Sequence, residues 1–433
     1  MEIIVSMQVK VCLAEDETIS IEHLLLMLKN QHIEAQLLEQ VLSAADEQLI
    51  KSFCGEKYSR QTGRERYVRA GTSKRNIVTS VGSVTLKVNR IRDISQNRIS
   101  KPLMGLIHFS GKRMFQPDVL MVSVDFAQKL SYRDTEAELA LVIPKVPSRM
   151  TIHNHVRELG ESIELNNTKE YLPVAMADGT KSSSQEPGVK QNEINVVLGV
   201  KEGRKILLGV TVNQSWKAMA DYLNTDETFS EISVIVSDGE QELRSAFSHD
   251  NVQFQTDLIH GFRILGYKLW EDGALNLVQR KETINDLKML LLSLKNVVVF
   301  HKSEPDRIGD KINQVVDGME LLAYRLNDQN CPRSAKFLNT FSNTLVTFAR
   351  LAINGIDIPW NSNMIERLMG EISKRVKHKW MRWTTRGLEA ILRLILVRYT
   401  SPWVYNAFRN EKMGYHCISS MTILLSIDTV VSC

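Results

Sequence analysis

Apolar residues recur at helical spacing over the first fifty residues, at Ile21, Leu24, Leu25 and Leu28 and again at Leu37, Leu38, Val41 and Leu42. With acidic residues between them, they predict a small acidic helical region over residues 1–53. The period then shortens. Ile77 and Val78, then Val84, Leu86, Val88 and Ile91, approximate strand alternation around Val81-Gly82-Ser83, which predicts a β-hairpin region over residues 54–115 with Lys87, Arg90 and Arg92 on its solvent side. From Pro117 the helical period returns in three short segments, the last beginning after Pro147 with Ser148 where an N-cap belongs and an apolar stripe of Ile152, Val156 and Leu159. Residues 116–165 therefore read either as a helix-turn-helix whose second helix presents Arg149, Thr151, His153, Asn154 and Arg157, or as an ordinary helical pair.

Beyond Leu172 short apolar runs follow one another. Val174 to Asp178 is one, Ile194 to Val200 and Lys205 to Val212 form a hairpin around Glu202-Gly203-Arg204, Ile232 to Asp238 is another, and Val252 to Leu258 closes the series. Helices are predicted near Trp216 to Tyr222 and Glu240 to Phe247. Three strands, helix, strand, helix, strand is the order of a mixed α/β sheet. Residues 271–357 are helical throughout, an all-helical insertion, and Pro359-Trp360-Asn361 stops the chain before a basic helix near Met364. The sheet segments and this helix, 170–270 and 358–413, form one domain, followed by an apolar tail over 414–433.

Composition adds little until charge is followed along the chain. The net formal charge is only +4 over 433 residues. Yet residues 54–115 hold fourteen Lys/Arg against three Asp/Glu, and residues 367–413 hold eleven against three. Two such blocks in an otherwise acidic chain suit a polyanion, and nucleic acid is the commonest. The five Cys are scattered without a CxxC pair, which argues against a disulfide framework or a Cys-rich zinc module and favours the reducing cytoplasm. No apolar stretch long enough to span a membrane occurs.

Asp178 and Asp238 each stand where an apolar run meets Gly. Each alone is an ordinary Asp-Gly turn pair, but at adjacent strand ends they would converge and share hard divalent cations. Two Mg²⁺ or Mn²⁺ ions held by carboxylates stabilise both the attacking and the leaving oxygen of phosphodiester chemistry. On the helix from Met364, Ile365, Leu368, Ile372 and Val376 form the buried stripe, with Glu366, Gly370, Lys374 and Lys377 on a neighbouring face. Glu371 lies about 140° from Glu366 around the helix, so the two do not reach one metal pair together. Glu366 either supplies the third carboxylate or closes a capping box with Asn363.

Asp178-Gly179-Thr180, Ser237-Asp238-Gly239 and above all Asn363-Met-Ile-Glu366-Arg367, with its continuation to Glu371, Lys374 and Arg375, resemble the three catalytic blocks of DDE transposases of the Mutator type found in prokaryotic insertion sequences. The resemblance covers roughly Pro173 to Tyr399. It implies a ribonuclease H-like catalytic domain interrupted by a helical insertion, with Asp178, Asp238 and Glu366 as catalytic metal ligands and Glu371 as the alternative third carboxylate. It also implies binding to double-stranded DNA at the ends of the protein's own mobile element and at the target. Relatives often carry Cys-x-x-His after the second Asp. Here the segment is Asp257-Leu-Ile-His260, and His260 either keeps the place near the scissile phosphate that the resemblance implies or is a structural histidine at a strand end. Arg149, Thr151, Asn154 and Arg157 upstream, and Arg367, Lys374, Arg375 and Lys377 on the last block, are the candidate DNA contacts. Trp380 and Trp383 are candidates for stacking on unpaired bases or for the core. Pairing two element ends calls for a homo-oligomer on DNA. A structure-specific nuclease on the same fold, or a non-catalytic DNA-binding regulator left by a decayed element, would share parts of this pattern.

Overall fold

The computed structural model describes residues 20–55, 66–107, 109, 113–165, 172–201, 203–225, 232–248, 252–377 and 381–414. The chain divides into two compact units, Met1–Val156 with Asn406–Cys433, and Arg157–Tyr405.

In the first unit, α1 (Ile21–Asn30) and α2 (Ile33–Cys54) precede a three-stranded antiparallel sheet of β1 (Tyr67–Thr79), β2 (Gly82–Asp93) and β3 (Arg98–Ser100). The apolar positions of β2 alternate, so Val84, Leu86 and Val88 turn inward onto Ala35, Leu42 and Ala45 of α2. Lys87 and Arg92 are exposed and Arg90 is half-buried, which leaves a basic outer face. Thr79 pairs with Gly82, so the hairpin turns at Ser80-Val81, one position before the expected triplet. Short α3 (Leu103–Leu106) follows, then α4 (Pro117–Ala127), α5 (Tyr132–Leu139) and α6 (Arg149–Ser162). Ser148 caps α6 as its residue type predicts, its Oγ accepting from the Thr151 N–H at 3.3 Å. Ile152, Val156 and Leu159 are buried. The connection from α5 to α6 runs from Ala140 to Ser148, longer than the three or four residues of a compact helix-turn-helix. The tight turn, Gln128 to Ser131, lies between α4 and α5 instead.

The second unit is a mixed α/β structure. Its strands are β4 (Val174–Ser183), β5 (Gln191–Lys201) and β6 (Arg204–Val212), then α7 (Trp216–Thr225), β7 (Val234–Ser237), α8 (Gln241–Ala246) and β8 (Gln253–Thr256). The order across the sheet is β6-β5-β4-β7-β8, with β6, β5 and β4 antiparallel and β4, β7 and β8 parallel. This is the succession read from periodicity. Trp216, Met219 and Leu223 of α7 and Leu243 of α8 pack on Ala175, Val197, Leu208 and Ile235. Long helices α9 (Leu258–Asp272), α10 (Leu277–Phe300), α11 (Pro305–Asp328), α12 (Pro332–Leu345) and α13 (Thr347–Ile353) follow before α14 (Asn363–Val376), α15 (Thr385–Thr400) and α16 (Pro402–Met413). The buried stripe of α11, Ile308, Ile312, Val315, Met319, Leu322 and Leu326, shows why the insertion reads as helix.

Two boundaries differ from expectation. β4 does not end at Asp178 but continues to Ser183, because its antiparallel pairing with β5 outlasts its parallel pairing with β7, which stops at Met176–Val236. The last strand is shorter than Val252 to Leu258, because Asp257 caps a helix there: its Oδ1 accepts from the N–H groups of Ile259 and His260. His260 therefore stands in the first turn of α9 rather than at a strand end.

Candidate active site

Two parallel neighbouring strands deliver the first two carboxylates. The register pairs Val174 with Val234, Ala175 with Ile235 and Met176 with Val236, and Asp178 and Asp238 each follow two residues beyond the last of these pairs. Adjacent strands lie about 4.8 Å apart. The charges interact accordingly. Burial first, and then the Asp238 carboxylate, push the Asp178 carboxyl up to about 6, with Glu366 adding in the same direction while His260 and the Gly179 N–H oppose. Gly179 is paired in the sheet with Asn195, so the turn reading fails at Asp178. At Asp238 a turn does form: Gly239 has φ +94° and a Cβ there would stand 2.9 Å from Phe341 Cε1.

The third carboxylate comes from α14, which packs against β4. Glu366 Oε1 is 3.7 Å from His260 Nδ1, whereas Glu371 is engaged one turn on with Lys374 at 2.6 Å. The capping box with Asn363 is not formed, since Ser362 is the N-cap and Asn363 is already helical. Asp257, His260 and Glu366 each bring a ligand atom within 4.8 Å of the others.

Asp257 organises this corner and went unread as a site residue. It is completely buried, and its Oδ2 accepts from both the Ser362 N–H and the Ser362 hydroxyl, at 2.6 and 2.5 Å. One carboxylate thus caps α9 and grips the residue before α14, while the Leu258 N–H donates to the Trp360 carbonyl alongside. Burial alone would raise Asp257, but His260 and Ser362 outweigh it and hold the group below the usual carboxylate range. The Asp257 carboxylate, against the opposing effect of burial, holds the His260 imidazole above its ordinary value. The visible signal was the Asp-x-x spacing of an N-cap.

Arg244 was also missed. Its Nη2 donates to the Thr256 and Thr344 hydroxyls at 2.7 and 2.9 Å, and its guanidinium lies 4.5 Å from the Phe341 ring centre. Burial lowers its pKa and the Asp238 charge partly restores it. Beside it, Trp216 Nε1 donates to Glu240 at 3.1 Å, and the Glu240 N–H donates to Asp238 Oδ1 at 3.0 Å.

Among the candidate DNA contacts, Arg367, Lys374 and Lys377 are exposed on α14. Arg375 is not available. It is 1% exposed and its guanidinium lies 4.7 Å from the ring centre of Trp383, itself buried, so the cation packs inward where a phosphate has no access. Trp383 therefore serves the core, and Trp380 lies outside the described residues, as does the tail beyond Gly414. On α6, Arg149 and Asn154 are exposed and Thr151 and Arg157 half-buried. Arg149 lies 3.4 Å from Glu136 and Arg157 3.8 Å from Glu161.

The family model described as "Transposase, Mutator family" matches residues 13–406. The chain belongs to the Mutator family of transposases. No curated protein matches it. The match spans the first basic block, most of the second and all three carboxylate segments of this Mutator-family chain, and family membership carries DNA transposition as its function. Among the described residues no helix is long and apolar enough to cross a membrane.

Proposed function

We propose that this Mutator-family transposase binds the ends of its mobile element, cuts the DNA there in a divalent-metal-dependent step, and joins the exposed 3′-hydroxyl to target DNA. The observation that carries this reading is that Asp238 and Glu366, far from Asp178 in the chain, lie close enough for their charges to add to burial in raising the cost of ionising Asp178. Carboxylates crowded in this way are a donor set suited to Mg²⁺ or Mn²⁺. The strand order β6-β5-β4-β7-β8 supports a ribonuclease H-like domain, with helices α10 to α13 as its insertion.

Asp178, Asp238 and Glu366 would hold two ions. When bound, such ions activate the attacking oxygen and stabilise the leaving one. The side chains do the rest. His260, on a helix fixed by Asp257, stands beside Glu366 and would donate to a non-bridging oxygen of the scissile phosphate. Arg367, Lys374 and Lys377 would hold flanking phosphates, with Gly370 leaving the α14 backbone open to close approach. Arg149, Thr151, Asn154 and Arg157 of α6 would read the element ends, and two or more copies would pair them.

The test is cleavage of a supercoiled plasmid carrying the element with its flanks. The full chain with Mg²⁺ is expected to nick at the element ends, and Asp178→Asn to abolish nicking while retaining DNA binding. Cleavage by that variant at the wild-type rate would remove Asp178 from the chemistry and overturn the reading.

A further inference from the structure

The outer face of α9 carries a feature the catalytic reading leaves unused. At 100° per residue, His260, Arg263, Tyr267 and Trp270 fall within about 80° of one another, on a single stripe running away from the site. The three beyond His260 are exposed, Tyr267 by 56% and Trp270 by 62%. The two rings stack on each other, with centroids 5.8 Å apart and planes 29° apart. Exposed aromatic residues one turn apart usually bury themselves or scatter. These two instead form a preassembled stack that stays more than half exposed. The Arg263 side chain makes no hydrogen bond or ion pair with any other described residue. Lys268, paired with Glu271 at 2.8 Å, lies 5.6 Å from the Tyr267 ring centre.

We infer that Arg263, Tyr267 and Trp270 form a binding track for unpaired DNA leading away from the cleavage site, Arg263 contacting a backbone phosphate and the Tyr267–Trp270 pair stacking on an unpaired base. This rests on the proposed cleavage at the carboxylate cluster. An aromatic face needs an open π-face opposite it, which a base inside an intact duplex does not offer. The occupant is DNA rather than a second copy of the chain because the stripe is continuous with His260 and includes at its inner end a cation, Arg263, that no described residue pairs. By helix rise, Tyr267 and Trp270 lie about 10 and 15 Å along the axis from His260. That is roughly three to four nucleotides at the duplex rise, so the contacted base is one that has come unpaired close to the cut.

The full chain is titrated with a short oligothymidylate and, separately, with a mixed-sequence duplex of equal length, comparing wild type, Tyr267→Ala/Trp270→Ala and Arg263→Ala. All three positions are solvent-facing, and circular dichroism checks that each variant is folded. The double variant is expected to lose about tenfold in single-strand affinity while its duplex affinity stays within about twofold. Arg263→Ala is expected to reduce the salt dependence of single-strand binding by about one charge. An equal loss on both DNAs, or no loss on the single strand, overturns the inference. So does a change in sedimentation of the DNA-free double variant without a change in binding, which would make the stripe a contact between copies. Plasmid nicking, run in parallel, separates the two readings: a double variant that nicks and binds oligothymidylate like wild type sinks the track alone, whereas a wild-type chain that never nicks sinks the cleavage reading.

Discussion

Asp178→Asn tests whether the carboxylate cluster is held together against its own repulsion. In the metal-free protein Asp178 titrates near 6 against an ordinary 3.8, because burial and the Asp238 charge both oppose its ionised form. A raised folded-state value means the native state holds the proton more tightly than the unfolded chain. The stability this brings is present below about pH 4 and is lost as pH rises through 6. Replacing the carboxylate by an amide of the same shape removes that loss, and the amide oxygen still accepts from the Gly179 N–H, now 2.8 Å from Oδ1. The shift corresponds to about 3 kcal/mol in favour of the variant at pH 7.5, falling to about 1 kcal/mol at pH 4.5. All six Trp lie in the unit that contains the site, so urea unfolding followed by tryptophan fluorescence in EDTA reports on it. With a denaturant slope of about 3 kcal/mol/M, the variant's midpoint should lie about 1 M higher at pH 7.5 and about a third of that at pH 4.5. Mg²⁺ should narrow the gap by stabilising wild type. A midpoint difference of the same size at both pH values, or a variant less stable than wild type at pH 7.5, would refute the reasoning.

Three other variants test the neighbouring contacts and the basic helix. Asp257→Ala should lower stability by about 3 kcal/mol, because four donors lose a buried charged acceptor. Wild type should lose this advantage only as pH falls below about 4, the depressed Asp257 staying ionised above it, and urea unfolding from pH 3 to 7 checks both. Arg375→Ala should destabilise the chain by about 2 kcal/mol, since it empties a buried site against Trp383, without changing the salt slope of DNA binding. Lys377→Ala should reduce that slope by about one and leave the urea midpoint in place.

How far the sequence carried the interpretation depended on whether an interaction was local. The strands and helices of the sheet were readable because their apolar positions keep a period of two or of about 3.6, and Asp178 and Asp238 because each follows such a run. The end of β4 was not readable. Whether Lys181 and Ser183 continue a strand depends on β5, which pairs with them from elsewhere in the chain. Arg375 shows the same limit, for its basic character suggested solvent and only the return of Trp383 buries it. At Glu366 the local rule for a capping box was available but lost to a distant competitor, the Asp257 carboxylate that holds Ser362 in the N-cap position.

The paired backbone at Leu258 and Trp360 gives the helical excursion between them a narrow mouth fastened by a single buried acid. The entropic penalty for closing such a loop is set at the mouth and grows only logarithmically with the chain beyond it, about 0.6 kcal/mol for a doubling. Growth at the far ends of α10 and α11 is therefore thermodynamically inexpensive, whereas growth at the neck is not. Among descendants of this chain, the reach of that helical arm should be the dimension that drifts most freely.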